Sequence, residues 1–284
     1  MIKLIKNFFV FLVVILLVIL CFYIFHKIKI NSTLNVIRKN SYLIMGDSQM
    51  QRLSENNFSA KTFNFSSTAE PYYITYNKLK KILNSEHINL ELILIGVSTH
   101  NFSPIYEKMF DFSSIEGLSF LNNHTYYLNL WDDFIPFSCF IKKDFYQGLI
   151  MGPLQNKIVK SSKSYPSKEV IKKSLKMHYF REETNSKINI QQKYLQKIVD
   201  LCMSNQIKLL FITMPVHEYY KANIPLEYKE ELRHVLESFE IVNFNFMNLH
   251  TPDSLFSDGH HLNINGATHY SRLINDSINN KISK

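Results

Sequence analysis

Two stretches, more than two hundred residues apart, carry side chains that could do acyl-transfer chemistry together. The first is Ser41-Tyr-Leu-Ile-Met-Gly-Asp-Ser-Gln-Met50, which reads as a buried strand that stops at Gly46 and hands Ser48 to the start of a helix. The free N–H groups of a helix N-terminus favour negative charge, so a serine there can be both nucleophile and part of an oxyanion site. The plainer alternative is that Asp47 or Ser48 only caps the helix, since both are preferred N-cap residues. The second stretch is Ser257-Asp-Gly-His-His-Leu-Asn-Ile-Asn-Gly266. Asp258 and His261 stand three apart in a loop that opens a helix, so one turn can set the carboxylate against an imidazole nitrogen and fix its tautomer. The other nitrogen then faces Ser48, and a weak serine nucleophile gains a base that is itself held in place.

Other assignments compete for these residues. His260 is the rival base. Asp258, His260, His261 and His269 together have the ligand types of a zinc site. The set lacks a compact His-x-x-x-His pair, however, and we expect neither a resident metal nor a cofactor. Asp47, His217 and His260 are the candidates for substrate contact, His217 because Pro215-Val-His217-Glu218 follows directly on a strand.

The elements that must position these groups alternate. Strands are expected at 42–45, 62–65, 90–97, 208–213 and 240–244. Helices are expected from near Ser48 and at about 71–83, 190–203, 225–239 and 265–278. Continuous apolar strands alternating with helices imply a three-layer α/β fold with an open, mainly parallel, doubly wound five-stranded sheet. Ligands of such sheets lie beyond the carboxyl ends of the strands, where Ser48 falls. The alternation breaks at about 102–187, a long central insertion that holds Trp131-Asp132-Asp133 and a basic tract, Lys157 to Lys187. That tract has nine lysines or arginines against three glutamates and supplies most of the formal net charge of +8. It suits a solvated face, an anionic polymer or lipid head groups. Nucleic acid is not expected, because no recognition motif accompanies the charge.

Residues Asn7 to Phe25 form an uncharged run long enough to span a bilayer as a helix, so 1–29 is expected to be a retained single-pass anchor and 30–284 the body. Lysines on both sides of the run leave orientation open. A polar spacer is expected around 31–40. Cys139 and Cys202, the two cysteines outside the run, make no disulfide framework.

Gly46-Asp47-Ser48 after a first strand, with Asp258-Gly-His-His261-Leu before the last helix, resembles the SGNH (GDSL-like) hydrolase superfamily, whose sheet is flavodoxin-like. The anchor, the insertion and the His261-Leu-Asn-x-x-Gly266 ending resemble its membrane-anchored envelope branch, which includes the DltD-like and alginate O-acetylation-like proteins. The resemblance implies Ser48 as nucleophile, His261 as base and Asp258 as its orienting acid. It implies oxyanion donors at the N–H of Ser48, at Ser66 where the family has glycine, and at Ser98 where it has asparagine, with Asn101 nearby. It further implies an enzyme of the bacterial envelope, at the cytoplasmic membrane with its body outside, moving or removing an acyl group on a cell-surface glycan or other acylated polymer. A membrane-bound acyltransferase is the implied protein partner. The competing expectation is a catalytically silent protein of this fold that binds a glycan or such an acyltransferase.

Overall fold

A computed structural model describes residues 2–124, 142–144, 147, 166–180 and 190–282; within the first helix, the side chains of 2–5, 15, 18–19, 22–23, 26 and 29 lie outside the description. In chain order the elements are α1 (Ile2–Ile37), β1 (Tyr42–Met45), α2 (Ser48–Gln51), β2 (Thr62–Asn64), α3 (Tyr72–Leu83), β3 (Leu92–Gly96), α4 (Pro104–Lys108), α5 (Ile115–His124), α6 (Lys168–Tyr179), α7 (Ile190–Ser204), β4 (Lys208–Thr213), α8 (Glu218–Ala222), α9 (Leu226–Ser238), β5 (Asn243–Asn245) and α10 (Ile264–Ile282).

The five strands form one sheet in the order β2-β1-β3-β4-β5, and every neighbouring pair is parallel. Period-two alternation along each strand builds two cores. Leu43, Met45, Ile93, Ile95 and Phe211 face one layer, where they meet α3, α7, α9 and the end of α1 through Ile74, Leu79, Ile198, Val235 and Ile37. Tyr42, Ile44, Leu92, Leu94 and Ile212 face the other, against Met50 of α2 and Tyr270, Ile274 and Ile278 of α10. A strand buried on both faces must be apolar at every position, which is why β1 and β3 read as unbroken runs. Across the first layer, Gln191 of α7 accepts the Tyr72 backbone N–H at 2.9 Å and so caps α3.

The expected polar spacer at 31–40 is mostly helix. α1 continues to Ile37, and Leu34 and Ile37 belong to the core, because two apolar residues one turn apart find an apolar layer to cover. Along its earlier turns Phe8, Phe9, Val10, Phe11, Leu16 and Leu17 stand exposed. Among the described residues no helix is long and apolar enough to cross a membrane. The insertion contributes α4, α5 and α6 to the described structure. Trp131, Cys139 and most of the basic tract lie outside the described residues.

Candidate active site

The chain reverses from strand to helix at Gly46, whose φ of 137° is closed to most side chains. Asp47 then caps α2 by accepting the Gln49 N–H at Oδ1, 2.9 Å. Ser48 is the first helical residue, so its N–H has no partner within the helix. From the opposite end of the chain, a loop folds over α2. The bridge between Phe256 and Leu262, both buried, closes the mouth of residues 257–261. Gln49 Nε2 donates to the His260 carbonyl at 2.9 Å and Arg52 to the Leu262 carbonyl at 3.1 Å, so one turn of α2 holds the loop by its backbone. Behind it, Asn263 Oδ1 accepts the Asn265 and Gly266 N–H groups and caps α10. At Gly266 a Cβ would lie 2.3 Å from the Leu255 carbonyl oxygen, so the last glycine of His-Leu-Asn-x-x-Gly is required by backbone approach.

The result is a continuous chain of hydrogen bonds. Ser48 Oγ lies 2.7 Å from His261 Nε2, and His261 Nδ1 lies 2.8 Å from Asp258 Oδ2. Asp258 Oδ1 accepts the N–H groups of His260 and His261, each at 2.9 Å. Burial alone would raise the Asp258 carboxyl. The His261 hydrogen bond, the neighbouring imidazoles and the backbone N–H outweigh it and hold the group well below the usual carboxylate range. An ionised Asp258 requires the Nδ1–H tautomer of His261, which leaves Nε2 as an acceptor toward the serine.

The other expected site residues are placed differently. Asp47 is buried with its carboxylate turned inward. Oδ2 accepts from His100 Nε2 at 2.7 Å, Asn101 Nδ2 at 2.8 Å and Tyr106 at 3.1 Å, so no face is left for substrate. Burial raises its carboxyl and His100 beside it lowers it more, leaving it well below the usual range. Asn101 and Ser98 are spent on the same knot. Asn101 Oδ1 accepts the Ser98 N–H and hydroxyl, both at 2.9 Å, and the Tyr72 hydroxyl at 3.1 Å; Ser98 Oγ also lies 3.0 Å from His100 Nδ1. Ser66 gives its N–H to Asn64 Oδ1 at 3.1 Å, while its buried hydroxyl has no partner. Of the expected oxyanion donors, the N–H of Ser48 is the one not committed inside the fold. His217 caps α8 through Nδ1, bonds Asp253 through Nε2 at 3.1 Å, and donates its N–H to the Gly259 carbonyl, which makes it a clamp on the 257–261 loop. His269 is exposed on α10, away from the metal-type group of Asp258, His260 and His261.

His260, expected to touch substrate, is instead buried in a packed row of rings behind His261, of which sequence reasoning had not singled out His100, His178 or Tyr220. His260 lies 3.8 Å from His261 between ring centres and 4.5 Å from His178, which in turn stacks on His100 at 5.1 Å. The Tyr220 hydroxyl meets His178 Nδ1 at 2.5 Å. Burial drives both His178 and His260 well below the usual histidine range, so these rings are neutral spacers. His100 stands in the short turn Thr99–Phe102 just past the end of β3 and was the available signal. His178 comes from the insertion, where no periodicity pointed inward.

A family model that carries no functional description matches residues 163–283. No curated protein matches. A solved structure described as "a putative platelet activating factor from Streptococcus pneumonia" is similar at 11% identity and a TM-score of 0.44, over 89% of this chain and 93% of that one.

Proposed function

We propose that the protein is a serine-dependent acyl-ester enzyme of the SGNH type with the flavodoxin-like sheet of that superfamily. The observation that carries this reading is the unbroken contact Ser48 Oγ, His261 Nε2, His261 Nδ1, Asp258 Oδ2 at 2.7 and 2.8 Å. Serine and base within hydrogen-bond reach, with the base held by a third group, is the arrangement an activated nucleophile needs. As Ser48 Oγ attacks an ester carbonyl, its proton passes to His261 Nε2 and the negative charge gathers on the carbonyl oxygen near the Ser48 N–H. Collapse breaks the ester bond, and the imidazolium returns the proton to the leaving alcohol. Water or a sugar hydroxyl then takes the acyl group from the serine by the same steps in reverse, giving hydrolysis or transfer.

The setting we propose is a bacterial envelope, with 1–29 as a single-pass anchor in the cytoplasmic membrane, the body outside it, and an acetylated glycan or other acylated polymer as substrate. The exposed apolar residues of α1 support the anchor. The outward lysines of α6 (Lys168, Lys172, Lys173 and Lys176) support an anionic surface as neighbour. A membrane-bound acyltransferase would supply the acyl group in the transfer variant. The test is hydrolysis of an activated acetyl ester by purified protein. Ser48→Ala should lose at least about 10³-fold in kcat/KM, and equal rates for the two proteins would sink the assignment.

A second reading is favoured by the commitment of Ser66, Ser98 and Asn101 to internal bonds. With one oxyanion donor left free, the fold could serve as a silent binder of glycan or of the acyltransferase. Ser48-dependent labelling by a fluorophosphonate separates the two, since a binder in a folded sample takes up no label.

A further inference from the structure

The loop that presents the acid and base also gathers a second donor set. Asp258, His260 and His261 each offer a ligand atom, and the three atoms lie within 4.8 Å of one another. The decisive member is His260. Its ring is 5% exposed, its Nδ1 has no hydrogen-bond partner, and that atom faces Asp258 Oδ1 at 3.3 Å. Asp258 Oδ1 is already occupied by the two backbone N–H groups, so the imidazole nitrogen confronts a carboxylate without bonding it. A buried polar atom left unpaired is costly, and a cation between the two groups would relieve it. Tetrahedral zinc with ligands at about 2.0–2.1 Å sets ligand atoms roughly 3.3–3.4 Å apart. The edge from His260 Nδ1 to Asp258 Oδ1 already has that length, whereas His261 Nδ1 meets the other oxygen, Oδ2, at 2.8 Å, so the carboxylate must turn to set one oxygen against both rings.

We propose that Asp258, His260 and His261 form an inhibitory Zn²⁺ site. Zinc takes the Nδ1 lone pairs of both histidines and a carboxylate oxygen, with water completing the shell. Neutral His261 carries one ring proton, now on Nδ1 toward Asp258. When zinc occupies Nδ1 that proton moves to Nε2, and no proton is lost overall. Nε2 then donates to Ser48 instead of accepting from it, so the serine has no base. The metal stops the enzyme by forcing the wrong tautomer, without blocking the cleft. Arg52, whose charge acts on Asp258, opposes the cation and weakens its binding. The inhibition rests on the acyl-ester reading; the binding does not.

The test separates them. Cobalt(II) added to the full-length wild-type protein should give the visible absorption of a tetrahedral site at one equivalent, displaced by Zn²⁺. Calorimetry with ZnCl₂ should show binding weakened at least about tenfold by His260→Gln, and as strongly by Asp258→Asn, which keeps both backbone contacts if His260→Gln fails to fold. In ester hydrolysis, each protein measured against its own zinc-free rate, the wild type should be inhibited by micromolar Zn²⁺ and restored by chelator, and His260→Gln should need at least about tenfold more metal. Absence of the cobalt spectrum, or equal zinc binding by wild type and both variants, overturns the site. Zinc binding in a protein with no esterase activity would leave the site standing and remove the proposed function instead.

Discussion

Replacing Asp258 by asparagine tests the candidate site at one atom. Oδ1 accepts two backbone N–H groups, from His260 and His261, and Oδ2 alone faces His261 Nδ1. Asparagine has one carbonyl oxygen, and two fixed N–H donors will orient it toward the backbone. Its NH₂ must then point at His261 Nδ1, which becomes an acceptor, so the ring proton moves to Nε2. The serine loses its base with scarcely an atom displaced. A comparable change of tautomer in a serine triad costs about 10⁴ in kcat, equivalent to about 5.5 kcal/mol of barrier. Stability should fall far less, by about 1–2 kcal/mol, as two hydrogen bonds to a charged acceptor become bonds to a neutral one. The assay pairs kcat/KM on an activated acetyl ester with urea unfolding of the same preparation. Loss of activity near 10³–10⁴-fold with stability nearly kept is the expected result. A variant within tenfold of wild type, or one that loses activity only because it unfolds, would refute the reasoning.

Three further outcomes follow from the packing. His124 is buried on α5, and burial first and the Lys78 charge second push its imidazole down to about 3. Below the unfolded value of about 6.5 the unfolded chain binds the extra proton, so this contribution is complete above pH 6.5 and declines by about 1.4 kcal/mol per unit toward pH 3. His178 and His260 are shifted the same way, and urea midpoints at pH 7 and 5.5 should show a steep drop that His124→Asn reduces. Gly46→Ala, with φ at 137° and its new Cβ 3.0 Å from Met50 Cγ and 3.3 Å from the Gly96 nitrogen, should cost about 1–3 kcal/mol and shift Ser48, read by thermal unfolding and by kcat. Glu70 holds the buried Lys78 ammonium at 2.6 Å, with Ser67 and Thr75 also bonded to its carboxylate. Glu70→Ala should therefore cost about 3–5 kcal/mol in urea unfolding, whereas the paired change Glu70→Leu with Lys78→Met should recover most of that loss.

Much of the frame was legible in the residues. The runs at 42–45 and 208–213 are strands with those bounds, and the helices at 190–203 and 225–239 fall within a residue of the observed ends, because burial on both sheet faces or on one helix stripe writes itself directly into sequence. Ser48 at a strand-to-helix turn, and an Asp-x-x-His spacing that lets Asp258 reach His261, are local facts. Local sequence did not reveal how the two ends of the chain are joined. Gln49 and Arg52 bind backbone carbonyls of residues 260 and 262, and a carbonyl has no side-chain signature to read. Nor did type and spacing assign Asp47, Asn101, Ser98 and His217 to holding loops together, since the same groups serve substrate when they face the cleft and serve the fold when turned inward. Composition and order determined an α/β body with a serine at one strand end and an Asp-x-x-His pair near the other terminus. Tertiary structure alone decided which polar atoms meet, because hydrogen bonds between remote loops depend on ångström-scale placement that the packing of two cores imposes.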